Sequence, residues 1–139
     1  MPIRERMTKL VAYWVITVLI VLETLVGGVT DLIHGRSILV AGPPVADVVT
    51  HLGYPLYFLG IIGVWKLLGG ITLLVPGYPR LKEWAYAGIF FELSGAAVSW
   101  LAREQNLGEA VVPMLLALLT LGSWALRPQN RLLGILATR

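Results

Sequence analysis

The chain has no cysteine. Disulfides, thiolate metal sites and dithiol redox chemistry are therefore excluded for the chain itself. Charge is scarce as well. Asp, Glu, Lys and Arg make up 14% of the 139 residues, against about 25% in soluble domains. The net charge of +3 is small and belongs to the loops, so it makes no case for nucleic acid as a partner. The two histidines, His34 and His51, lie near Asp31 and Asp47 at spacings that match no metal motif, so no metal is expected. No phosphate loop, nucleophile elbow or dinucleotide fingerprint occurs. What the chain has instead is apolar sequence: 57% of its residues are hydrophobic, and they cluster into four runs. Such clustering points to membrane spans rather than to a soluble core. The length suits one domain, 1–139.

The spacing predicts spans over about 10–29, 54–75, 83–102 and 110–126. Twenty helical residues cover roughly 30 Å, enough for a bilayer core. The last run covers about 26 Å and crosses only with little tilt. Residues 1–9 have the polarity of a signal-peptide head, but the apolar run that follows is too long for one. The connection 30–53 is the longest, and loops of that length tend to carry function or structure of their own. Pro44 suits the first turn of a helix and Gly53 the position after its end, so a short extra helix over 45–52 is expected. Residues 37–41 read as extended. Tyr13, Trp14, Tyr78 and Trp84 read as interfacial anchors. The tail is too short to span again, and 132–137 is expected to lie along the interface.

Orientation follows from the basic residues. Arg4, Arg6, Lys9, Arg80, Lys82, Arg127, Arg131 and Arg139 fall on one side of a four-span chain, with only Arg36 and Arg103 on the other. The positive-inside rule then places both termini in the cytoplasm.

Residues 52–99 carry a family resemblance. The telling pieces are Leu52–Gly53–Tyr54–Pro55, Trp65–Lys66–Leu67–Leu68–Gly69 and Lys82–Glu83–Trp84–Ala85–Tyr86–Ala87–Gly88. With them the chain resembles the DoxX-like family of small bacterial four-span membrane proteins. The first span and the long loop match more loosely, and the last span matches by position and length. The resemblance implies an antiparallel four-helix membrane bundle in a bacterial inner membrane. The family takes its name from a subunit of a thiosulfate:quinone oxidoreductase, so a quinone-linked or redox-partner role is permitted.

Inside the spans, ionisable residues share helix faces with small ones. Glu23, Gly27, Thr30 and His34 form one stripe, provided the first helix continues past residue 29. Lys66 sits with Gly63 and Gly70, and Gly88, Glu92, Gly95 and Ser99 form a third stripe. Small residues mark close helix approach in membranes, so these faces are expected to point inward. A charge at a bilayer centre costs about 2.5 to 3.5 kcal/mol. Lys66 is therefore expected between Glu23 and Glu92 in one buried cluster that handles protons or binds a polar head group. His34 and His51 are weaker candidates, expected to cap the mouth of the bundle. Trp65 and Trp100 suit pocket walls. Thr120, Ser123 and Trp124 read as polar packing residues.

The fold expected is thus an all-α membrane protein, an antiparallel four-transmembrane-helix bundle with a short extra helix in the first outer loop. The leading functional expectation is an intramembrane pocket for a small lipophilic molecule, a quinone among those allowed, accessory to a redox system. A redox partner protein or a homo-oligomer would accompany it, and no cofactor is expected within the chain. Two other readings stand beside it. One is a membrane-embedded acid–base enzyme, such as an isomerase, acting on a lipophilic substrate. The other is a structural accessory subunit whose buried charges only set helix register.

Overall fold

The computed structural model describes residues 2–132. The interfacial segment expected at 132–137 falls outside them from residue 133 onward. Among the described residues there are five α-helices and no strand: α1 (Ile3–Leu32), α2 (Val45–His51), α3 (Tyr57–Leu74), α4 (Pro79–Glu104) and α5 (Leu107–Ala125), followed by a 3-10 turn at Gln129–Arg131. Helices α1, α3, α4 and α5 are each long and apolar enough to cross a membrane. They run antiparallel in chain order, and each packs on its neighbours in the ring α1–α3–α4–α5. The start of α1, the α3–α4 turn and the end of α5 share one end of the bundle, here the terminal face. The long loop with α2 and the α4–α5 turn share the other, the loop face.

Large apolar side chains such as Val64, Phe91, Leu115 and Leu118 point outward. That is stable only where lipid is the solvent, and it is how a multi-pass membrane protein presents itself. In the half nearer the terminal face Ile20, Val21, Leu73, Tyr86, Ile89, Leu93 and Ala117 form one buried cluster. A hydroxyl chain runs through it: Ser123 Oγ lies 2.7 Å from Thr17 Oγ1 and 2.8 Å from the Tyr86 hydroxyl, joining α1, α4 and α5. Tyr13, expected as an interfacial anchor, is instead fully buried beside this cluster. It lies one turn before Thr17, whose hydroxyl meets Ser123 of α5.

Helix ends explain the remaining differences from the sequence reading. α1 continues to Leu32 because its stop signal is His34, which adopts φ 52° while Gly35 N donates to Thr30 O at 3.0 Å. This is the double hydrogen-bonded helix end that a left-handed residue permits. The expected boundary at 29 was set by hydropathy, which fades before the hydrogen bonding does. α2 ends in the same way at Gly53, φ 93°, with Tyr54 N donating to Val49 O. Residues 37–41 form no strand. Ser37 Oγ accepts from the backbone N–H groups of Leu39 and Val40, a side-chain turn that bends the chain.

The end of α3 is capped by two cations that the sequence reading had assigned to loops. Lys82, only 1% exposed, donates to the carbonyls of Thr72, Val75 and Gly77. Arg131 donates to Leu73 O at 2.6 Å and to Leu74 O at 3.3 Å, and stacks over Trp14. A helix C-terminus presents unpaired carbonyls and partial negative charge, so ammonium and guanidinium groups satisfy both. Beside them Arg127 pairs with Glu83, whose other oxygen accepts from Trp124 Nε1 at 2.8 Å.

Candidate functional site

α1 and α3 cross at a seam of glycines. A Cβ on Gly28 would lie 3.0 Å from Gly63 O, and one on Gly63 would lie 2.9 Å from Gly28 O. Only glycine on both sides lets the backbones come this close. The crossing delivers Lys66 of α3 onto a ladder of α1 residues spaced four apart, Glu23, Gly27 and Asp31. A Cβ on Gly27 would stand 3.4 Å from both Glu23 Oε1 and Lys66 Nζ, so the absent side chain leaves room for the ammonium.

Lys66 Nζ lies 2.9 Å from Asp31 Oδ2 and 3.2 Å from Glu92 Oε1 of α4. The side chains are 14%, 7% and 24% exposed respectively, which makes this a largely buried pair of ion contacts linking three spans. Asp31 Oδ2 is closed off from solvent and has no other aligned donor. Lys66 and Glu92 thus meet as expected, but the second carboxylate bonded to the ammonium is Asp31 rather than Glu23. Glu23 stands two turns deeper on the same α1 face, within electrostatic reach of Lys66, Glu92 and Asp31 but without a direct ion pair among the described residues. Asp31 was missed because it follows the last apolar residues of the first run. Its signal was there: it continues the Glu23–Gly27 spacing by one more turn.

The histidines stay outside. His34 is exposed and forms the α1 end described above. His51 Nε2 contacts Glu104 Oε1 at 3.0 Å, fastening α2 to the end of α4, and its ring leans on Trp100. Among the described residues no group of His, Asp and Glu is arranged to hold a metal.

Two cavities meet at Lys66 and Glu92. The larger, about 590 Å³, lies between α3 and α4 toward the terminal face, with Trp65, Leu68, Leu81 and Trp84 around it. Those four side chains are 46–76% exposed on the lipid-facing surface, so this cavity opens sideways into the bilayer. The smaller, about 330 Å³, lies toward the loop face beneath α2, with Val48, Tyr54, Ser99 and Trp100 in its walls and Asp31 at its floor. Glycines on α4 create the space. A Cβ on Gly88 or Gly95 would meet nothing within 4 Å. The expectation that every glycine stripe marks helix contact therefore holds for α3 and fails for α4, where the small residues line cavities instead.

Compared with known families, the chain matches the DoxX-like family over residues 15–123. No curated protein and no solved structure matches it.

Proposed function

Because the chain belongs to the DoxX-like family of membrane proteins, we propose that it holds a small lipophilic molecule in the α3–α4 cavity, with the polar head of that molecule against Lys66 and Glu92. The observation that carries this is a lateral, bilayer-open cavity of about 590 Å³ with an ion pair at its deep end. Its volume falls within the roughly 300 to 1,000 Å³ common for small-molecule sites. Its walls are apolar and aromatic, and Lys66 offers the donor that orients a head group. A quinone-like carbonyl ring suits this donor, with a redox protein as the partner that supplies electrons. Glu23, near the pair but not bonded to it, is placed to pass protons. On this reading the protein sits in a bacterial inner membrane with its terminal face cytoplasmic, the face that carries Arg4, Arg6, Lys9 and Arg80.

The test is mass spectrometry of small molecules that copurify in mild detergent. Wild type is compared with Asp31→Asn/Lys66→Met/Glu92→Gln, which removes the three paired charges together. A stoichiometric molecule in wild type alone supports the reading. The same lipid background in both overturns it and favours charges that only set register.

One observation favours a second reading, an acid–base enzyme on a lipophilic substrate. Three carboxylates, Asp31, Glu23 and Glu92, surround one ammonium, and a surplus of carboxylate is what a proton-exchanging catalyst needs. This reading requires turnover by the purified chain alone, abolished by Glu92→Gln.

A further inference from the structure

The cavity beneath α2 is not used by the ligand site proposed above, yet it ends on the same side chains. Lys66, Glu92 and Ile62 border both cavities. Asp31 borders only the one beneath α2. The ion pair is therefore a partition. On one side is a space walled by Trp65, Leu68 and Trp84 and open to lipid. On the other is a space beneath α2 that leads to the loop face, with the outward-facing Phe91 at its lateral edge.

The contents of the second space follow from its lining. A cavity stays dry when its walls are apolar throughout, and holds water when several polar groups converge on it. Here Asp31, Lys66 and Glu92 form the floor. The Tyr54 hydroxyl and Ser99 Oγ, 2.7 Å apart, stand in the wall. A volume of about 330 Å³ accommodates on the order of ten waters at roughly 30 Å³ each.

We propose that the cavity beneath α2 is a water-filled vestibule that gives the loop-face solvent one-sided access to Lys66, Asp31 and Glu92, while the α3–α4 cavity is reached only from the bilayer. The site then draws its ligand from lipid and exchanges its protons with one aqueous compartment. This rests on the ion pair being the working site, but the test below needs no ligand, so its outcome is independent of the copurification result.

The α4 face supplies the probe positions. Gly88 lies four residues before Glu92 and borders the lipid-side cavity. Gly95 lies three residues after Glu92 and borders the vestibule. Both accept a side chain without contact, and the chain has no cysteine of its own. Single variants Gly88→Cys and Gly95→Cys are placed in sealed vesicles with the loop face outward and treated with a charged, membrane-impermeant thiol reagent. Gly95→Cys is expected to react faster by roughly tenfold or more, because the reactive thiolate forms in water and is suppressed in apolar surroundings. A lipid-soluble maleimide should reach Gly88→Cys. Ala96→Cys and Ala85→Cys repeat the comparison one residue along and one turn back. Equal reaction of the two members of each pair with the charged reagent overturns the partition. So does a failure of both Gly95→Cys and Ala96→Cys to react with it before denaturation, when they react after.

Discussion

Removing the Lys66 ammonium alone would strand Asp31 and Glu92 in an environment that offers them no other cation among the described residues. Breaking a buried pair by deleting one partner costs about 3 to 5 kcal/mol, whereas replacing all members by neutral residues of similar size is often near neutral. Lys66→Met should therefore lower the unfolding temperature in detergent far more than Asp31→Asn/Lys66→Met/Glu92→Gln does. Similar losses in both would mean that the ammonium contributes packing rather than charge. Lys66 and Glu92 were legible in the sequence because an ionisable residue in the middle of an apolar run has no water to turn to. Asp31 was not, because a carboxylate just beyond such a run reads the same whether the helix stops before it or carries it inward. Tyr13 was misread for a related reason. A tyrosine near the start of a span suits an interface and a core equally, and only the packing of the neighbouring helices decides.

Between helices, closeness is set by the glycines of α1 and α3. Gly63→Ala would place its Cβ 2.8 Å from Leu32 Cγ and 2.9 Å from Gly28 O. Such overpacking typically costs about 1 to 3 kcal/mol. Gly60→Ala, on the same helix with open space around it, should instead be neutral or stabilising by up to about 1 kcal/mol through helix propensity. Thermal unfolding of the two variants checks the contrast. The end of α3 gives a second expectation. Lys82→Met leaves the carbonyls of Thr72, Val75 and Gly77 without their donor, at about 1 to 3 kcal/mol for a buried group left unpaired. Hydrogen exchange should then speed up in the last turn of α3 while α5 keeps its protection. Lys82→Arg should rescue poorly, since three carbonyls converging on one point suit a compact ammonium better than a planar fork. The existence of each span was legible in hydropathy. Its ends were not, because they are written in hydrogen bonds such as those at His34 and Lys82.

The up-down bundle was readable because four apolar runs joined by polar turns leave little topological choice. The cavities were not, because they depend on the separation of α3 and α4, which no single run encodes. Gly88 and Gly95 looked like contact residues and proved to line the open space beside α4. Filling that space makes a direct test of the proposed ligand site. Gly88→Phe should keep the fold and abolish copurification of a stoichiometric lipophilic molecule, as judged by mass spectrometry against wild type. Undiminished copurification would move the ligand out of the α3–α4 cavity. The basic residues of the terminal face fall into two groups. Arg4, Arg6 and Arg80 are exposed, whereas Lys82, Arg127 and Arg131 are buried and bonded to α3, α4 and α5. A charge-reversal study of topology should therefore use the first group, since changing the second would disturb the bundle itself.

The link from Asp31 through Lys66 to Glu92 also bears on biosynthesis. The ribosome releases α1 first, with Asp31 near its end, then α3 with Lys66, then α4 with Glu92. Lys66 would burden α3 if that helix had to partition into lipid alone. The glycine seam offers it an earlier arrival, α1, whose carboxylates already wait at the matching depth. α4, the next to emerge, carries its own burden in Glu92 and finds the ammonium in place. α3 and α4 thus each enter the bilayer against a partner made before them, and the order in which the spans are synthesised is also the order in which Lys66 and Glu92 are neutralised.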